Sequence, residues 1–161
     1  MSQILILLLF YFLILYSIIG YGRIFTLINS NYQADSFNGL LGIALLILIS
    51  YFTNIFFSHN YIHNSLIIFL GLLIFIYDFI KNFSKRVFEY RDVTIIFAII
   101  FIALLMYKNH DDFYYYHFSY TLILTNFDKI FGLGNLNHGF RTPSSIFYLN
   151  SLFYLPGIKY Y

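Results

Sequence analysis

Near-continuous apolar runs at residues 4–19, 40–57, 65–80, 93–107 and 146–158, parted by short polar breaks, constrain this chain more than any other feature. Runs of this kind with few charges are the pattern of helices that cross a bilayer, where about 20 apolar residues span the hydrocarbon. A soluble fold is excluded by supply: 60% hydrophobic and 24% aromatic residues against 10% charged leave too little polar surface to coat a globule. With 161 residues there is room for four or five such helices and short loops, but for no large soluble domain. The expected fold is all-α, a polytopic transmembrane helical bundle of about four to five spans forming one transmembrane region.

The first run closes at Gly20-Tyr21-Gly22-Arg23 and lacks the basic n-region and small-residue cleavage site of a secretory signal, so it reads as a retained helix. Residues 29–38 are a polar stretch, 58–64 a short polar turn, and 81–92 the most charged loop. Residues 113–131 read as a re-entrant or amphipathic piece, broken by Gly132-Leu133-Gly134. Pro143-Ser144-Ser145 is a helix-start signal for the last run. Basic residues are retained on the cytoplasmic side, and Lys81, Lys85, Arg86 and Arg91 place that charged loop inside. Arg23 and Lys159 then fall inside too, while Lys108, Lys129 and Arg141 fall outside. The implied location is a bacterial inner membrane with the 108–145 loop on the periplasmic or outer side. Zero cysteines exclude disulfides and thiolate metal sites, and a net charge of +2 from scattered basic residues excludes a nucleic-acid footprint. With zero Trp, an interfacial aromatic belt has to be built from the 17 Tyr and 21 Phe.

The densest group of ionisable side chains is His110-Asp111-Asp112-Phe113-Tyr114-Tyr115-Tyr116-His117, at the mouth of the fourth run. Ionisable groups are costly in a bilayer and are kept where they line a cavity or face water. The two carboxylates are suited to general-base work or to holding a divalent cation through oxygen ligands; alternatively, they mark the water-exposed end of a helix. If the stretch is helical, His110, Phe113, Tyr114 and His117 share one face and Asp111 lies away from it. His59 and His63 have the i, i+4 spacing of a metal-binding helix, but Asn60 stands where a zincin-type motif has glutamate, and a polar interfacial turn is the better reading. Asp78 is expected to pair with Lys81, three residues on, at the cytoplasmic interface. The stretch 132–145 offers glycines for close backbone approach, free amides at a helix start by Ser144 and Ser145, and a guanidinium at Arg141. That combination suits a lipid phosphate, although a glycine-rich turn before a capped helix explains it equally.

An apolar span, the acidic pair in His110-Asp111-Asp112-Phe113-Tyr114, an amphipathic return and another span together resemble the first catalytic loop of the GT-C class of membrane glycosyltransferases. More closely, the stretch from His110 to Tyr161 resembles a family of uncharacterised bacterial polytopic membrane proteins distantly similar to those enzymes. The resemblance implies transfer of a sugar from a polyprenyl-phosphate donor on the outer face, often with a divalent cation such as Mg or Mn. It makes Asp111 or Asp112 the catalytic base or metal carboxylate; His110, His117, Arg141, Ser144 and Ser145 are the accompanying candidates for contact with substrate or lipid phosphate. Such enzymes have many more helices, so the chain is expected to be the amino-terminal part of a larger protein, inactive alone. The alternatives are a transporter or flippase for an envelope lipid or polysaccharide, and a non-catalytic membrane subunit.

Overall fold

The computed structural model describes residues 2–28, 37–106 and 113–158, which are predominantly helical with no β-strand among them. Four long helices, α1 (Ser2–Ile28), α2 (Asn38–Asn54), α3 (Tyr61–Lys81) and α4 (Phe83–Leu105), are followed by a π-helical turn at Phe113–His117, then α5 (Phe118–Asn126) and α6 (Ser145–Ser151). Two of them, α1 and α3, are long and apolar enough to cross a membrane; α2 is apolar but has 17 residues. Only 28% of the most apolar stretch of α1 and of α3 is buried, unlike the core helix of a soluble protein.

α1 does not end at residue 19. It continues through Gly20, Tyr21, Gly22 and Arg23 to Ile28, because those glycines are packing positions rather than breaks. A Cβ on Gly20 would overlap the Gly71 carbonyl of α3, one on Gly22 the Asn38 carbonyl of α2, and one on Gly42 of α2 the Ile18 carbonyl of α1. Backbone thus meets backbone along two seams, the way small residues let helices approach where lipid supplies no hydrophobic drive for their association. The pairings 18 with 42 and 22 with 38 make α2 antiparallel to α1; those of Ser17 with Gly71 and Arg23 with Asp78 make α3 parallel to it. α4 runs back along α1 at a greater distance and is met by long side chains: Tyr11 Oη donates to the Phe97 carbonyl at 3.1 Å, and Tyr16 Oη lies 2.7 Å from Thr94 Oγ1.

The charged stretch 81–92 is not a loop. Asn82 alone separates α3 from α4, whose first half carries Lys85, Arg86, Glu89, Arg91 and Asp92. Arg23, expected in an exposed loop, is fully buried and joins three helices: Nη2 donates to Glu89 Oε1 at 2.9 Å, and Nε lies 3.2 Å from Tyr90 Oη and 3.4 Å from Asp78 Oδ2. Asp78 also accepts from Tyr90 Oη at 3.0 Å and Asn82 Nδ2 at 2.9 Å, while Arg86 Nη1 donates to Glu89 Oε2 at 3.0 Å. Asp78 therefore belongs to this network and is not Lys81's snorkelling partner; the Lys81 ammonium lies over the Tyr77 ring. Two guanidinium groups and two carboxylates balance in charge, which buried ions require.

The last apolar run is not a fifth span. α6 covers only Ser145–Ser151, about 10 Å of helix, and its Phe147, Tyr148 and Leu149 are buried against protein. Residues 113–158 form a cap at the end of the bundle where α2 stops and α3 starts, with its own core of Tyr120, Leu124, Leu133, Phe140, Phe147 and Tyr148. Gly132, at φ +84°, makes the left-handed step that leads from α5 into the 3-10 turn Leu133–Asn135. Leu149 and Leu152 of the cap meet Tyr21, Leu46 and Ile67 of the bundle.

Gly20→Leu should destabilise the bundle by at least about 2 kcal/mol through overpacking, whereas Gly39→Ala, where nothing lies within reach of a Cβ, should be neutral within about 0.5 kcal/mol. Denaturant unfolding in detergent micelles, followed by circular dichroism, measures both; equal stabilities would refute the seam.

Candidate functional site

Because α4 stands off from α1 and the cap closes only one end of the gap, an apolar cavity of about 580 Å³ remains between them, partly open to the outside. Leu7, Tyr11 and Ile14 of α1 and Phe101, Leu104 and Leu105 of α4 form its walls. The cap contributes Phe113, His117, Phe118 and Thr121 on one side and Asn150, Phe153, Tyr154 and Ile158 on the other. Its volume is that of a small-molecule site, and apart from Tyr11 its few polar side chains, His117, Thr121, Asn150 and Tyr154, come from the cap.

Of the residues singled out from the sequence, His110, Asp111 and Asp112 lie outside the described residues. Phe113, the residue after Asp112, lines the cavity. His117 lines it too, because the π-helical turn places residues 113 and 117 on one side. Tyr114, expected on that face, is instead exposed. The His117 ring sits edge-on to Phe147 and to Tyr116, with centroids 5.0 and 5.2 Å away. Arg141, Ser144 and Ser145 are not among the lining residues. Arg141 is exposed at the end of the 3-10 turn His138–Arg141, and Ser144 is the N-cap of α6, its Oγ accepting from the Ile146 amide, as Pro143-Ser144-Ser145 suggested. The structure thus brings His117 to the cavity and leaves the proposed phosphate-binding group elsewhere on the cap.

The turn holding His59 and His63 exposes Asn60, Tyr61 and Ile62 and buries His59 and Asn64. His59 is fully buried and is the point where α2, α3 and the cap meet. Its amide donates to the Leu124 carbonyl at 2.9 Å, and its Nδ1 lies 2.6 Å from Ser151 Oγ. Ser151 Oγ also lies 2.8 Å from the Tyr148 carbonyl, Nε2 lies 3.4 Å from Thr53 Oγ1, and the Ser50 backbone is a further hydrogen-bond partner of the ring. Asn64 Nδ2 lies within 2.7–2.9 Å of the carbonyls of His59, Ser151 and Tyr154, and Ser50 Oγ donates to that of Tyr148. Asn60 caps α3 by accepting from the Ile62 and His63 amides. The i, i+4 spacing serves to stack the imidazoles, with centroids 5.0 Å apart and planes within 6°. Among the described residues no three His, Asp or Glu side chains come together as a metal site. Ser151 and His59 are a hydrogen-bonded pair, yet both are fully buried and neither lines the cavity, so the pair serves the junction.

Burial, reinforced by the neighbouring His63, holds the His59 imidazole well below its usual range, at about 4. In the cap core, burial and the Tyr148 hydroxyl 3.2 Å away push the Tyr120 phenol far up, so it stays protonated. Sequence reasoning saw the histidines but not their partners, since Ser50, Ser151 and Tyr148 carry no pattern that links them to residue 59. No protein-family model, curated protein or solved structure matches the chain. What it does has to be argued from its own geometry.

Because the folded His59 takes up a proton only near pH 4 and the unfolded one near 6.5, its contribution to stability is complete above pH 6.5 and is lost as pH falls toward 4. Unfolding free energies should drop by roughly 3 kcal/mol across that window, and His59→Asn should remove most of the drop. A drop of the same size in the variant would place its origin elsewhere.

Proposed function

We propose that this chain is a polytopic membrane protein, four of whose helices lie in the bilayer, and that it acts in sugar transfer from a lipid-linked donor at the outer face. The observation that carries the reading is the apolar cavity that begins at Phe113, next in sequence to the paired carboxylates of Asp111 and Asp112. In this reading α2 and the apolar half of α4 join α1 and α3 as spans. Their exposed Leu40, Leu48 and Phe52 on α2 and Ile95, Ile99 and Ile102 on α4 face lipid. The cap is periplasmic in a bacterial inner membrane.

The cavity takes the proximal part of a polyprenyl chain, whose remainder leaves between α1 and α4 into the bilayer. His117, Asn150 and Tyr154 lie on the cap side, toward the phosphate. One of Asp111 and Asp112 accepts the proton of the acceptor hydroxyl as its oxygen bonds to the anomeric carbon; the bond from that carbon to the phosphate oxygen breaks, and polyprenyl phosphate leaves with the electron pair. The same carboxylates are the oxygen ligands available to a divalent cation, magnesium or manganese.

Two measurements test this. Asp111→Asn with Asp112→Asn should abolish transfer from a radiolabelled polyprenyl-phosphate sugar in membranes while leaving insertion intact; undiminished transfer would sink the assignment. Leu7→Trp, which fills the cavity, should raise KM for the long-chain donor at least about tenfold, the equivalent of about 1.4 kcal/mol, with little change for a short-chain analogue.

A further inference from the structure

The cap carries a surface that its own core does not use. Between α5 and the 3-10 turn at Leu133–Asn135 the chain exposes Phe127, Ile130 and Phe131, the last at 88%, and Leu136 beyond the turn is 79% exposed. Large apolar side chains this open, close together on one loop, mark contact with something apolar. The location of the loop indicates what that is. Lys129, in the middle of it, reaches the buried Tyr148, with Nζ 3.2 Å from the hydroxyl. Tyr148 in turn stacks on Tyr51 of α2, with ring centroids 3.9 Å apart and planes within 23°. At the end of α2 and just past it, Phe52, Ile55 and Phe56 are exposed as well, the rings of Phe52 and Phe56 edge to face with centroids 5.7 Å apart. The loop therefore adjoins the lipid-facing surface of a helix end, with an ammonium group beside it. In a chain without Trp, Phe and Tyr are the residues available for an interfacial belt.

We propose that residues 127–131 are an interfacial anchor: Phe127, Ile130 and Phe131 enter the outer leaflet of the bilayer that holds α2, while Lys129, between them, ties the loop to Tyr148 of the cap core. The inference rests on the reading of the chain as a membrane protein and adds a second attachment of the cap, independent of the helices that carry it. Docked in this way, the cap fixes the height of the cavity relative to the lipid head groups.

Since the chain has no Trp, a single introduced indole reports its own surroundings. Phe131→Trp and, separately, Phe69→Trp on the exposed face of α3 are reconstituted into phosphatidylcholine vesicles with and without bromine near the head-group end of the acyl chains. The expected result is blue-shifted emission from Trp at 131 and a marked loss of its intensity in brominated vesicles. Quenching at 69 with water-like, unquenched emission at 131 overturns the anchor and leaves the membrane reading standing. Blue-shifted but unquenched emission at 131 also overturns it, because protein, such as a second copy of the chain, then covers the loop. Absence of quenching at both positions overturns the membrane reading and the anchor together.

Discussion

Close backbone contact of α1 with α2 and α3 is the constraint on which the rest of this structure depends. Gly20 against Gly71, Gly22 against Asn38 and Gly42 against Ile18 bring the three helices nearer than any side chain would allow. At these crossings small residues let main chain meet main chain, so close packing and not interleaved side chains sets the separation of the helices. At that distance the Tyr21 hydroxyl reaches the Ile67 carbonyl at 2.7 Å, and the Arg23 guanidinium reaches Asp78. Widening the seam by one methyl group would separate both pairs.

The two ends of the bundle use different chemistry for the same task. At one end four ionised groups, Arg23, Asp78, Arg86 and Glu89, tie α1, α3 and α4 together, each charge meeting an opposite one. At the other, neutral groups dock the cap: His59 pairs with Ser151, while Ser50 and Asn64 donate to the Tyr148 and Ser151 carbonyls that the end of α6 leaves free, and Asn64 also to that of His59. A neutral junction tolerates burial without counter-ions, but it depends on His59 remaining unprotonated. The cavity lies between these fixed points, where α4 is held to α1 by long aromatic side chains and not by backbone contact.

Much of the helical content was legible in the apolar runs, and the boundaries that shifted did so for identifiable reasons. Gly20 and Gly22 resemble a helix terminator until a neighbouring helix supplies the carbonyl each one accommodates. The charged stretch after residue 81 looks like a loop until Arg23, 55 residues before Asp78, arrives from another helix to neutralise it. Residues 146–158 have the hydropathy of a span, yet the chain turns after Ser151 and their side chains complete the core of the cap. Of the candidate site, the proximity of His117 to Phe113 could be inferred from spacing, whereas the cavity they line could not, because the rest of its wall comes from α1, α4 and the far side of the cap, all distant in sequence.

By itself the sequence determined that the chain is helical, that its helices are built from apolar runs, and that its acidic pair follows an apolar segment. These are consequences of composition and of spacing along one dimension. Only the tertiary structure decided which glycines are contacts, which ions pair, which histidine is locked neutral and where a cavity opens. Each of those depends on groups far apart in the chain being brought within a few ångströms, and no local pattern specifies such a distance.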